Sequence, residues 1–191
     1  MGIAEIFGFR PLREGSAATA LYAAIVAQAR EPGFFSSLGV PDTLDGRFET
    51  VALHVFLVLR RLKLEPAEAA AGLSRVLVEE FVSDMDRSLR EMGAADLGVG
   101  RRVKAMAEGL YGRIRAYQAA LAETGDAALE AALRRNVYGT VQTADTVRLA
   151  AFARYVRRQH ANLAAQQFVA LQEGRIEFLA PSVAIGSEAQ P

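Results

Sequence analysis

Side chains able to carry chemistry are scarce in this sequence. It has no cysteine and two histidines, His54 and His160. Thiolate nucleophiles, thiolate metal sites and disulfides are therefore excluded, and imidazole chemistry has little to work with. His54 stands seven residues from both Arg47 and Arg61 in an otherwise apolar run. The expected role is a buried imidazole bonded to a backbone carbonyl or a carboxylate, and His160 is read the same way. Glu79, Glu80, Asp84, Asp86 and Glu91 form an acidic cluster in which Glu80 and Asp84 are one helical turn apart. A di-iron bundle needs a histidine three residues after a glutamate, and the sequence has none. Arg87 and Arg90 at ion-pair spacing favour a solvated face, with a docking face for a basic partner as the functional alternative.

Other signatures fail for stated reasons. Gly98-Val99-Gly100 imitates the start of a dinucleotide fingerprint but lacks the third glycine and a preceding strand, so glycines opening a helix explain it better. Residues 34–48 imitate a helix-turn-helix, yet Asp42, Asp45 and Glu49 oppose a single Arg47 where a recognition helix needs neutral or positive side chains. Duplex DNA is not an expected partner.

The charge balance is uneven. Overall, 22 basic side chains meet 22 acidic ones. Residues 65–100 carry three basic and eight acidic side chains, net −5, whereas residues 101–158 carry eleven basic and five acidic, net +6. Arg101, Arg102, Lys104, Arg113 and Arg115 head the basic stretch, in which arginine suits phosphate and carboxylate recognition. They could meet RNA or anionic lipid headgroups; pairing with the acidic helix is the competing use.

These residues need helices to position them. Ser16 can cap a helix through Arg30 with Leu21, Tyr22, Ile25 and Ala29 on one face, broken by Pro32-Gly33. A second break at Gly39-Val40-Pro41 precedes a helix capped by Thr43 or Asp45 and running to about Lys63. Glu65-Pro66 opens another that Gly93 stops. After Gly100, the residues Val103, Ala107, Leu110, Ile114, Tyr117 and Leu121 fall at alternating steps of four and three, one apolar stripe. Asp126 can cap a short helix carrying Leu129, Leu133 and Val137, and a last helix spans roughly 144–171 with Leu149, Phe152, Val156 and Leu163 inward. Sustained alternation at period two is confined to a weak stretch at Arg175–Leu179.

The expected fold is therefore an all-α, single-domain bundle of about six to seven helices. Residues 1–15 form an N-terminal arm, 16–172 the helical domain, and 173–191 a partly disordered tail. Ile3, Ile6, Phe7 and Phe9 could lie at a membrane surface, although packing on the domain is preferred. No secretory signal or membrane span is expected. No cofactor, metal or catalytic residue is expected either.

Residues 38–62 (LGVPDTLDGRFETVALHVFLVLRRL) and 81–113 (FVSDMDRSLREMGAADLGVGRRVKAMAEGLYGR) resemble the ubiquinol–cytochrome c chaperone family, over roughly residues 20–160. The matching stretches are Val40-Pro41-Asp42-Thr43, Arg47-Phe48-Glu49, His54, Arg60-Arg61-Leu62, Asp84-Met85-Asp86, Leu89-Arg90-Glu91-Met92-Gly93 and Tyr111-Gly112-Arg113. The resemblance implies an all-helical assembly factor for respiratory complex III without enzymatic activity. In the family's mitochondrial branch, it implies a protein that acts with a partner at the ribosome exit and holds newly made cytochrome b until haem is inserted. An alphaproteobacterial-type member would be cytoplasmic, and peripheral at the inner face of the plasma membrane. The client is then a protein, cytochrome b being the first expectation, and the basic stretch could touch a ribosome or an anionic membrane. Surface candidates for partner binding are Arg101, Arg102, Lys104, Arg113, Arg115, Asp42, Arg47, Glu80 and Asp84. A small helical carrier of lipid or quinone is the alternative.

Overall fold

The computed structural model describes residues 10–91, 96–141 and 144–181. Among them are eight helices: α1 (Arg10–Ala29), α2 (Pro32–Ser36), α3 (Leu44–Leu62), α4 (Ala67–Glu91), α5 (Asp96–Ala122), α6 (Ala127–Asn136), α7 (Thr146–Ala165) and α8 (Phe168–Gln172). Six are long and two are five-residue turns, in keeping with the expected all-α bundle.

The apolar pattern of α3 dictates its place. Every residue from Val51 to Val58 is buried, and a helix apolar on all sides must be wrapped on all sides. It packs on α1, α4, α5 and α7. The surrounding helices pack in succession, α1 on α4, α4 on α5, α5 on α6 and α6 on α7, and α8 returns to α1. Together they make a ring around α3 that α8 closes.

The buried histidine inside this ring is satisfied locally. His54 is fully buried; its Nδ1 donates to the Thr50 carbonyl at 2.7 Å, and its Nε2 lies 2.8 Å from the Tyr155 hydroxyl. That matches the role expected of it. Burial lowers the His54 pKa from 6.5 to about 4, so the ring is neutral and accepts the tyrosine proton. Phe34, Phe152 and Tyr155 crowd around it, with Phe34 edge-on to the imidazole at 5.3 Å. His160 is half-buried and accepts from Arg60 Nε at 2.8 Å.

Four boundaries differ from expectation. Helix α1 begins at Arg10 rather than after Ser16, and Pro11 falls in its first turn, where a missing N–H costs nothing. Gly98-Val99-Gly100 lies inside α5, not in a loop. Asp126 stands at the α6 N-cap but its side chain makes no cap bond; it pairs with Arg157, which also donates to the Glu123 and Gly125 carbonyls at the end of α5. The last helix breaks at Gln166, whose carbonyl turns outward to accept Arg61 Nη2 at 2.7 Å. Tertiary bonds override helix propensity there.

After α8, Gly174 takes a left-handed turn (φ +75°) against Ala17 and Ala20, where a side chain would be both strained and crowded. Residues 175–181 then run as an extended strap. Gln28 Nε2 donates to the Leu179 carbonyl at 2.8 Å, Gln159 Oε1 accepts from the Leu179 amide at 2.8 Å, and Gln166 clasps Glu177 through both its amide groups. Phe178 sits edge-on to His54 at 5.6 Å. The weak alternation at Arg175–Leu179 is this strap, with Ile176 and Phe178 packed on the core.

Candidate functional site

The site grows from the first turns of α3. Thr43 caps the helix, its Oγ1 accepting from the Gly46 amide at 3.2 Å. The Pro41 carbonyl lies so close to Gly46 that any side chain there would overlap it. This close approach folds residues 40–43 over the helix end and leaves Leu44, Phe48 and Val51 facing the last turns of α1 and α4. Val26 and Ala29 of α1 with Arg30 just beyond it, Asp84, Met85 and Leu89 of α4, Met106 and Arg113 of α5, and Arg135 and Asn136 at the end of α6 complete an open groove of about 690 Å3.

Its floor is apolar and soft, with Met85, Met106, Leu89, Phe48 and Val51 presenting adaptable surface. Leu44 at its edge is 54% exposed, unusual for a leucine beside so much apolar lining. A buried ion pair crosses the floor: Arg113 grips both carboxylate oxygens of Glu49, and its guanidinium rests over the Phe48 ring at 5.1 Å. Burial pushes the Glu49 carboxyl up while Arg113 pulls it down. Its hydrogen bonds to Glu49 in turn raise the Arg113 guanidinium, which stays charged.

Asp84 accepts from the Tyr22 hydroxyl at 2.7 Å and pairs with Arg87. Burial, then Asp84 itself, pushes the Tyr22 phenol far up, so it stays a donor. Arg47 pairs with Asp42 at 2.7 Å on the exposed edge and lies over Phe35. Beneath the groove, the buried Tyr117 hydroxyl has the Asn136 carboxamide as its hydrogen-bonding neighbour.

The structure thus brings together Asp42, Arg47, Asp84 and Arg113 of the expected surface residues. Glu80 sits one turn from Asp84 and accepts from Thr19 of α1 at 2.7 Å. Arg101, Lys104 and Arg115 are exposed on α5 away from the groove lining, and the Arg102 side chain lies outside the described residues. Lys104 reaches Glu108 at 3.9 Å, whereas Arg101 and Arg115 form no ion pair among the described residues. Glu79, Asp84 and Asp86 of α4 pair with Arg75, Arg87 and Arg90 of the same helix. Among the described residues, Arg101, Lys104 and Arg115 form no ion pair with α4.

Arg30, Arg135, Asn136 and Met106 were not legible as site residues; each is an ordinary member of its own helix, and only the packing of α1, α5 and α6 around α3 assembles them. No group of three His, Asp or Glu side chains is placed to hold a metal among the described residues. No helix among them is long and apolar enough to cross a membrane.

The sequence profile described as ubiquinol–cytochrome c chaperone matches residues 36–178. The chain belongs to that family. Ubiquinol-cytochrome-c reductase complex assembly factor 1 of Xenopus laevis is 30% identical over 143 residues, covering 75% of this chain and 70% of the frog protein. The mitochondrial protein CBP3 of Saccharomyces cerevisiae is 27% identical over 154 residues, covering 80% of this chain and 46% of the yeast protein. The chain thus spans about half the length of the yeast relative. The crystal structure of the Cbp3 homolog from Brucella abortus superposes with a TM-score of 0.82 at 35% identity, covering 96% of this chain and 99% of that one. Of the seven stretches that resemble the chaperone family, four send residues into the groove: Arg47-Phe48-Glu49, Asp84-Met85, Leu89 and Arg113.

Proposed function

We propose that this member of the chaperone family is a non-enzymatic assembly factor for the cytochrome bc1 complex, and that its groove holds a helical segment of a protein client, cytochrome b being the expected one. The observation that carries the reading is the convergence just described: stretches as far apart in sequence as Arg47 and Arg113 meet at the groove. The space suits the purpose. The groove, about 690 Å3 and open on one side, is of the size that takes side chains from one face of a docked helix. Apolar floor and charged rim together match the helix-in-groove mode of recognition.

Deleting the gene and recording the b-type haem absorbance of membranes tests the role; normal levels would sink it. Complementation tests the groove. Leu44 is already half exposed, so Leu44→Asp should fold normally, yet fail to restore cytochrome b because a carboxylate then stands on the apolar edge. Full rescue by that variant would remove the groove from the mechanism. The exposed basic face of Arg101, Lys104 and Arg115 is the proposed contact with an anionic surface.

A further inference from the structure

Four amide side chains, one from α1 and three from α7 and its C-terminal end, converge on a short stretch of extended backbone. Asn162 Nδ2 and Gln166 Nε2 both donate to the Glu177 carbonyl, at 2.9 and 2.6 Å, while Gln166 Oε1 accepts from the Glu177 amide at 3.0 Å. Two residues on, Gln159 Oε1 accepts from the Leu179 amide and Gln28 Nε2 donates to its carbonyl, each at 2.8 Å. Gln28 Nε2 also donates to the Tyr155 hydroxyl at 3.1 Å, which ties the two walls of the cleft together. All of the bonds to the strap go to main-chain atoms of alternate residues, and the Glu177 side chain stays exposed. Ile176 and Phe178, on the other face, pack on the core. Clefts that hold extended peptides work this way: main-chain bonds give affinity, and pockets for alternate side chains give specificity.

The rest of the cleft is shaped for backbone as well. Pro181 is buried against α2, and a side chain on Gly33 would collide with its carbonyl oxygen. Gln159 is wholly buried and gives the strap only its oxygen; its Nε2 has no partner among the described residues. The strap therefore leaves part of the cleft's bonding capacity unused. It follows α8 through the left-handed turn at Gly174, so it can leave without unwinding a helix.

We propose that the seam between α1 and α7 is a binding site for an extended segment of a partner protein, filled in the free chain by its own residues 175–181. The segment it takes carries a large apolar residue, best an aromatic one, where Phe178 lies against His54, and another apolar residue two positions earlier. The residue between them is not selected, because the cleft holds only its backbone. Gln28, Gln159, Asn162 and Gln166 do not line the groove, so the inference stands apart from the reading of that site. The strap sets the threshold: a competitor meets only the molecules whose cleft is open, and its apparent affinity falls by that fraction.

The test uses the full chain and a fluorescein-labelled peptide of the strap's own sequence, Arg-Ile-Glu-Phe-Leu-Ala-Pro, read by fluorescence anisotropy. Phe178→Ala and Leu179→Pro each weaken the strap in its own chain, the first by removing the ring and the second by removing the amide that Gln159 holds, and both leave the cleft walls intact. Each should bind the peptide at least about tenfold more tightly than the unaltered protein. Adding Asn162→Ala and Gln166→Ala to Phe178→Ala should abolish that binding. Within the peptide, Glu→Lys should change affinity by less than about twofold, whereas methylation of the leucine amide nitrogen should weaken it about tenfold. A measurement on the unaltered protein needs no substitution: millimolar peptide should speed hydrogen exchange of the Leu179 amide by displacing the strap. Unchanged exchange there would overturn the proposal. So would a cooperatively melting Phe178→Ala or Leu179→Pro protein with no gain in peptide affinity, and so would equal binding of the methylated and parent peptides, which would mean apolar adhesion rather than a backbone-reading cleft.

Discussion

Arg113 and Glu49 illustrate why a single residue can govern this site. The carboxylate is almost wholly buried, and Arg113 is what makes its charge tolerable there. Arg113→Met should therefore cost about 3 kcal/mol or more in urea unfolding, the range for a buried pair that loses one partner. The penalty should shrink at acid pH. Burial alone raises the Glu49 carboxyl, so the variant's folded state takes up a proton more readily than its unfolded state, and loses stability as pH rises through that raised value. Replacing Glu49 by Leu in the same variant should recover most of the loss. His54 titrates with the opposite sense. Its pKa is about 4 when folded against 6.5 ordinarily, so the unfolded chain binds the proton first. Stability is full above about pH 6.5 and declines as pH falls towards 4, by at most about 3 kcal/mol at 1.36 kcal/mol per unit. His160, lowered chiefly by burial, adds to the same decline. Urea midpoints measured from pH 7.5 to 4.5 check this, and a flat profile would contradict the neutral, tyrosine-bonded imidazole.

The strap shows what one element contributes beyond its own residues. Ending the chain at Gly174 would uncover His54 and leave Gln28, Gln159 and Gln166 without the backbone groups they hold. The expected loss is about 3 kcal/mol, combining a half-buried phenylalanine with several hydrogen bonds. Amide exchange should then quicken in α1 and α7, which the strap ties together, more than in α4. The helices themselves were largely legible: the stripe from Val103 to Leu121 and the wholly apolar run of α3 follow from period alone, and Leu110, Tyr117 and Leu121 are indeed buried. What escaped the pattern has tertiary causes. Gln166 ends α7 because Arg61 takes its backbone carbonyl and Glu177 its side-chain amide, and nothing in the local sequence announces partners 105 and 11 residues away. The groove escaped for the same reason. Arg113 and Asp84 stood out by charge, whereas Asn136 and Arg135 reach the groove only through the packing of α6.

At the scale of the whole molecule, zero net charge hides a division of labour among the cations. Arg61, Arg113 and Arg157 are spent inside, on Glu65, Glu49 and the α5–α6 turn. The acids of α4 are met by their own helix and by hydroxyls of α1. Arg101, Lys104 and Arg115 remain on one exposed face of α5, turned away from the stripe that packs inward, so that face carries positive potential although the chain is neutral. Reversing all three to Glu should leave the melting temperature nearly unchanged, because exposed charges contribute little to stability. It should nevertheless abolish sedimentation with phosphatidylglycerol vesicles at low salt. For the unaltered protein, that sedimentation should fade as ionic strength rises past about 0.1 M, where the screening length drops to about 10 Å. Equal sedimentation of the two proteins at low salt would assign the basic face to solvation alone, and leave the groove as the contact surface that charges define among the described residues.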